Sequence, residues 1–308
     1  MQSNADALKV EVKLSTKIKE TAANYTFLFC GLISVIAILV ITVFLVISGV
    51  PAIREIGLFK FLLGQTWSRS AGEFGIWPMI VGSVYVTAGA LVVGVPLGLF
   101  SAAFMTFFCP RGIKKVLKQV INLLVGIPSI IYGFFGIMVI LPWTSRLAEV
   151  LRIKGGTGEG VLIASVILGI MILPTIINIS AASIEAVPRH YYEGAVALGA
   201  THEQAVFKVV IPAAKGGIFT SVVLGVGRAI GETMAMVMVV GNAAWIPPSV
   251  LHPVRTLTTG IVAEMAYADR DSLHYRALLS IALVLFVFIL VLYLSINLYR
   301  QRNAKKGI

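Results

Sequence analysis

Six stretches of the chain, roughly 25–48, 78–108, 118–142, 161–182, 216–240 and 277–299, each run for about the length of a bilayer crossing with hardly a charged side chain. A hydrocarbon core about 30 Å thick takes about 20 apolar residues in helical form. Lipid offers no partner for an open backbone group, so only helices and closed barrels span it. A barrel would show segments of about ten residues with alternating polarity, and none of the six alternates. The fold class that follows is an all-α polytopic membrane protein with six transmembrane helices. Composition agrees: 58% of the 308 residues are hydrophobic, 13% are charged, and mean hydropathy is +0.93. No low-complexity tract divides the chain. A single membrane domain at 25–300 is expected, between an N-terminal tail at 1–24 and a C-terminal tail at 301–308.

The first run follows a polar leader, is too long for the apolar region of a secretory signal and lacks a small-residue cleavage site, so it reads as an uncleaved anchor. Cys30 and Cys109 sit in or at the end of spans, which implies neither a disulfide framework nor a metal set. Lys and Arg crowd into the N-terminal tail, the second connection (Arg111, Lys114, Lys115, Lys118), the fourth (Arg189, Lys208, Lys215) and the C-terminal tail. The positive-inside rule then puts both termini in the cytoplasm. The net charge of +11 is this topology signal together with attraction to anionic membrane lipid. No basic patch interleaves with aromatics, so no nucleic-acid partner is expected.

The fifth run contains GVGRAIGETMAM, Gly225 to Met236, with Arg228 and Glu232 one helical turn apart. At mid-membrane an arginine costs about 2.5–3.5 kcal/mol to insert, and a glutamate a comparable sum. An exposed ion pair at that spacing returns only about 0.2–0.5 kcal/mol. Local pairing therefore does not justify the two charges, which should face the bundle interior or a water-filled path. Gly225, Gly227 and Gly231 would let a neighbouring helix or a substrate approach the backbone. Two readings stay open: Arg228 and Glu232 lock the helix to a neighbour, or Arg228 offers its planar fork to a passing oxyanion while Glu232 positions that anion or gates it.

Between the fourth and fifth runs, residues 183–215 read SIEAVPRHYYEGAVALGATHEQAVFKVVIPAAK. The segment is too polar to cross the bilayer and too patterned for a loop. Pro188 suits a helix start, Gly199 a left-handed stop, Thr201 with Gln204 a capping box, and Pro212 a break. The expected hairpin shows Ala205, Val209 and Pro212 on one side with Phe207 and Val210 nearby, an apolar surface suited to a docking partner.

The order Glu193, Gly194, Ala195, three residues, Gly199, nine residues, Val209, one residue, Ile211, Pro212 resembles the E-A-A-x3-G-x9-I-x-L-P signature of ABC-importer permeases. Gly194 and Val209 depart from it, keeping small or apolar character. With GRAIGETMAM (Gly227 to Met236), GIPSIIYGFFG (Gly126 to Gly136) and FGIWPMIVGSVYVTAGALVVGVPLG (Phe74 to Gly98), the chain is similar to PstC-type permease subunits of bacterial phosphate-specific ABC importers over about residues 25–300. The resemblance implies a type I importer permease fold in the bacterial cytoplasmic membrane. It implies that Glu193, Ala195, Gly199, Ala200 and Pro212 form the ATPase-coupling loop, and that Arg228 and Glu232 line the substrate path. The implied partners are a PstA-like permease, two ATPase subunits and an extracytoplasmic phosphate-binding protein docking near Asn242–Arg276.

No G-x-x-x-x-G-K-[ST] loop occurs, so the chain is expected to bind no cofactor; ATP and Mg would sit on the partner ATPase, and this chain is no enzyme itself. Another oxyanion, such as sulfate, molybdate or a phosphonate, is an alternative substrate. In a different class, a secondary anion transporter or channel would need no ATPase dock but often shows inverted repeats, which are not evident here. Pro96, Pro128, Pro142 and Pro174 lie in or at the ends of spans and mark candidate kinks.

Overall fold

A computed structural model describes residues 14–305 of the chain. Two compact units divide it, residues 1–48 and 49–308. Lys9 and Lys13 of the N-terminal tail and Lys306 of the C-terminal tail lie outside the described residues. The described part of the first unit is helical and belongs to α1 (Leu14–Ile56). Within it Thr26, Ser34 and Thr42 each donate their hydroxyl to the carbonyl four residues back, the arrangement that keeps a hydroxyl satisfied in lipid.

The second unit takes in the end of α1, then α2 (Leu58–Leu63) and an antiparallel two-stranded hairpin, β1 (Trp67–Ser68) and β2 (Glu73–Phe74), with Trp67 opposite Phe74. Helix α3 (Trp77–Ala103) runs on through a π turn at Phe104–Phe108. Next come α4 (Arg111–Gly126), α5 (Ser129–Phe135), a π turn at Gly136–Ile140, α6 (Leu141–Val150) and α7 (Val161–Glu185). The polar connection folds as α8 (Arg189–Ala197), α9 (His202–Ala205), a π turn at Val206–Val210 and α10 (Ile211–Ala213). The chain closes with α11 (Lys215–Gly231), α12 (Met234–Val239), α13 (Leu257–Met265) and α14 (Leu273–Lys305).

Among the described residues, five stretches are long and apolar enough to cross a membrane: Glu20–Ile56, Trp77–Phe108, Ser129–Val150, Val161–Glu185 and Leu273–Ser295. A sixth arises if His202–Ala213 and Lys215–Gly231, bent by 68° against each other, count as one. Two sequence-based spans shift. The run at 118–142 is split, because Pro128 has no N–H to donate and drives Ile127 to φ −73°, ψ 123°. Its first part belongs to α4, amphipathic with Lys115 and Lys118 exposed on one face, and the crossing starts at Ser129. The run at 216–240 is likewise two helices, interrupted at Glu232–Thr233. Pro96 and Pro174, by contrast, sit inside unbroken helices.

The centre of the unit is the α3–α7 seam, built from small residues. A Cβ added at Gly94 would come within 2.8 Å of Ile172, and one at Gly98 within 2.6 Å of Ile176. Without a hydrophobic force between helices in lipid, such backbone approach supplies the packing attraction. Ile163, Ile167, Leu168, Met171 and Ile172 of α7 are buried in the resulting core together with Ala235, Met236 and Val239 of α12. The connection between the last two spans carries α13.

Candidate functional site

Arg228 lies in the last turn of α11, half-buried, and its Nη1 donates to Thr175 Oγ1 of α7 at 3.2 Å. It forms no ion pair among the described residues. Glu232 caps the same helix in an extended conformation, φ −69°, ψ 128°. Its Oε1 accepts from the backbone N–H of Thr233 at 3.2 Å and of Ala235 at 3.4 Å, and its main-chain carbonyl accepts from Thr258 Oγ1 at 3.1 Å. The two charges are thus one turn apart and unpaired. The local reason is the break: once the chain leaves helical geometry after Gly231, the carboxylate turns to the first free N–H groups of α12.

Glu232 also borders a small cavity of about 10 Å³, lined with Ser83, Thr87, Thr256 and Thr258 among others. Ser83 and Thr87 come from α3, and Thr256 and Thr258 from the N-terminus of α13, where Thr256 and Thr259 form a capping box and Leu257 N–H donates to Ser83 Oγ at 2.9 Å. A Cβ at Gly225 would meet Ile176 at 3.3 Å, and one at Gly227 would meet the Tyr293 hydroxyl at 2.6 Å; Gly231 faces open space. Tyr132 of α5 is buried and donates to the Leu124 carbonyl at 2.8 Å, while Phe134 and Phe135 are exposed.

Two of the polar hairpin's expected signals stand in place, whereas Pro188 caps α8 from just outside it and Pro212 lies inside α10, the 68° bend following at Ala214. Gly199 sits at φ +88°, with its N–H on the Val196 carbonyl at 2.9 Å and the Ala200 N–H on the Ala195 carbonyl at 3.1 Å, a Schellman stop. Thr201 and Gln204 form a reciprocal capping box. Glu193 and Pro212 are exposed, Ala195 is buried and Ala200 half-buried. The apolar surface differs from the one expected. Ala205 and Val210 turn inward, while Tyr191, Val196, Leu198 and Phe207 face out, Leu198 at 91% exposure. Beside them a cleft of about 390 Å³ is lined by Pro188, Tyr191, Ala213 and Ala214 among others.

Sequence reading missed one further cluster. Glu264 of α13 accepts from Trp67 Nε1 at 2.9 Å and Arg255 Nη1 at 2.5 Å, and pairs with His274 Nε2 at 2.6 Å. Burial pushes its carboxyl up, but the donors from Trp67, His274 and Arg255 outweigh that and hold it below the ordinary carboxylate value. These four residues line a cavity of about 250 Å³ with Arg69, Ala244 and Tyr267. Trp67 and Glu264 are 197 positions apart, so no local pattern announces them.

A family model described as binding-protein-dependent transport system inner membrane component matches residues 94–305. The chain is 37% identical to the probable ABC transporter permease protein YqgH of Bacillus subtilis, over 96% of this chain and 98% of that one. It is also 37% identical to the phosphate transport system permease protein PstC of Mesorhizobium japonicum, over 81% of this chain and 80% of that one. Among solved structures, a chain of a bacterial alginate ABC transporter, in complex with its alginate-loaded periplasmic protein, superposes with a TM-score of 0.62 at 18% identity. That superposition covers 95% of this chain and 98% of the other.

Proposed function

The chain belongs to the family of binding-protein-dependent transport system inner membrane components, and from that premise we propose that it is the phosphate-translocating permease subunit of an ATP-driven importer. It is a multi-pass membrane subunit with a type I ABC importer permease fold, not an enzyme, and works with an ATPase and a substrate-binding protein. Its finer placement is in the bacterial cytoplasmic membrane with both termini inside, beside a PstA-like permease, two ATPase subunits and an extracytoplasmic phosphate-binding protein. ATP and Mg belong to the ATPase subunits, consistent with a sequence that carries no phosphate loop.

One observation carries the reading: Arg228 is a half-buried cation inside an apolar bundle with a threonine for partner and, among the described residues, no carboxylate. An unpaired guanidinium there is costly, and an oxyanion that bonds its fork offsets the cost during passage. The ion-pair form of the structural lock is disfavoured by the same geometry. Glu193, Gly199 and Pro212 shape the cytoplasmic hairpin, and the exposed Leu198 and Phe207 supply what an ATPase groove would grip. Relatives named for phosphate transport support that ion over sulfate or molybdate. The test is uptake of labelled phosphate at low external phosphate in cells lacking the chain, with the chain restored and sulfate as competitor. Restored uptake that sulfate leaves unchanged is the expected outcome; no restoration would sink the phosphate reading.

A further inference from the structure

A carboxylate in an anion path needs its own explanation, since it repels the cargo. Glu232 does not neutralise Arg228, with which it forms no ion pair. Nor does capping α12 account for it. The two backbone bonds are long, 3.2 and 3.4 Å, and both fall on Oε1. Asn or Ser caps a helix as well, without the cost of a charge in the membrane. Oε2 accepts no hydrogen bond among the described residues, and Glu232 is half-buried beside the small cavity.

The other side of that cavity is polar and incomplete. Thr87 is 8% exposed, and its hydroxyl makes no hydrogen bond among the described residues. The cavity of about 10 Å³ takes one water-sized group, the size of a single oxygen of a tetrahedral anion. A free carboxylate oxygen and a free hydroxyl at the cavity and, one turn back along α11 and outside its lining, a guanidinium whose one hydrogen-bond partner among the described residues is the neutral Thr175 together present an acceptor, a donor and a cation.

Resting on the transport reading above, we propose that Glu232 is a specificity-determining residue that accepts a hydrogen bond from the P–OH of a protonated oxyanion while Arg228 and Thr87 donate to its unprotonated oxygens. Inorganic phosphate keeps at least one P–OH at every physiological pH. Sulfate keeps none, so its oxygens would face the carboxylate with nothing to donate. A site built around a substrate O–H rejects the analogue that lacks it, because its own acceptor is left unpaired against a like charge.

The test uses the complete transporter, with partner permease and ATPase subunits, in nanodiscs and without the soluble binding protein, so that only the membrane path selects. Equilibrium binding of labelled phosphate and labelled sulfate is compared for the wild type, Glu232→Gln and Glu232→Asp. The wild type should prefer phosphate by at least about tenfold. Glu232→Gln, which can donate to sulfate, should bring the two anions within about threefold, and Glu232→Asp should restore most of the preference. An unchanged ratio in Glu232→Gln, or a wild type that binds sulfate as well as phosphate or binds neither, would overturn the assignment. Phosphate uptake restored in cells with such a result would remove the selectivity role alone; failed restoration would remove the transport reading itself.

Discussion

Arg228 and Glu264 are both half-buried charged side chains, and their surroundings assign them opposite work. Arg228 has one neutral partner, so its charge is available to something that comes and goes. Replacing it with Gln should lower phosphate uptake at least a hundredfold, measured in cells where membrane fractionation shows normal amounts of the chain. A variant that transports at a tenth of the wild-type rate or better would put the cation outside the path. Glu264 is instead saturated by Trp67, Arg255 and His274, and is a clamp. A carboxyl held below its ordinary value of about 4.3 stabilises the folded state above that pH and loses the contribution as pH falls through the lowered value. Glu264→Gln should therefore melt earlier than the wild type at pH 7, by roughly 1–3 kcal/mol of stability, and the gap should close in acid below about pH 4. A gap independent of pH would mean that shape, not charge, holds this corner.

At the scale of elements, helix starts and stops are the part of the structure most legible in the sequence. Gly199 at φ +88° and the Thr201–Gln204 box stand where local chemistry puts them, because a left-handed stop and a reciprocal cap are settled within a few residues. Hydropathy runs are less informative about breaks. The run at 118–142 joins the apolar face of α4 to a separate crossing, and only Pro128 marks the boundary. No residue signals the break at Glu232–Thr233; it is fixed by α13, whose Thr258 holds the Glu232 carbonyl. Glycines divide in the same way. A Cβ at Gly199 meets nothing within 4 Å, so Gly199→Val is strained through its φ alone. It should leave the chain in the membrane but cut phosphate-stimulated ATP hydrolysis severalfold; normal coupling would count against docking at this turn. Gly98→Leu, driven into Ile176, should instead prevent accumulation of the chain, read by immunoblot of membranes, whereas Gly31→Leu, facing open space, should not.

For the whole molecule, the apolar surface reads in two ways according to where it lies. Exposed Leu, Ile and Val along the crossing helices lie at membrane depth, where lipid or the helix of a partner subunit covers them. Leu198 does not belong to that set: it stands on the polar hairpin at 91% exposure, immediately before the Gly199 turn, with Val196 and Phe207 exposed nearby. Water would leave this cluster unfavourably hydrated, so an assembled transporter should cover it. The sequence pattern points to Ala205, Val209 and Pro212 with Phe207 and Val210 nearby; of these Phe207 and Pro212 are exposed, whereas Ala205 is buried and Val210 packs into the core cluster beneath the hairpin. The distinction follows from chain direction. The π turn at Val206–Val210 rotates the second helix so that its periodic face packs inward, which leaves the turn residue as the projecting tip. Seating such a tip in a partner's groove would remove its side chain from water, and placing a charge there would leave that charge desolvated. Leu198→Asp should therefore reduce co-purification of the ATPase subunits at least tenfold, a change of about 1.4 kcal/mol or more. Val209→Asp, half-buried on the inner side, should first reduce the amount of chain in the membrane. If Leu198→Asp leaves the ATPase bound at wild-type stoichiometry, the tip is not the anchor, and the cleft beside Tyr191 and Ala213 becomes the surface to probe.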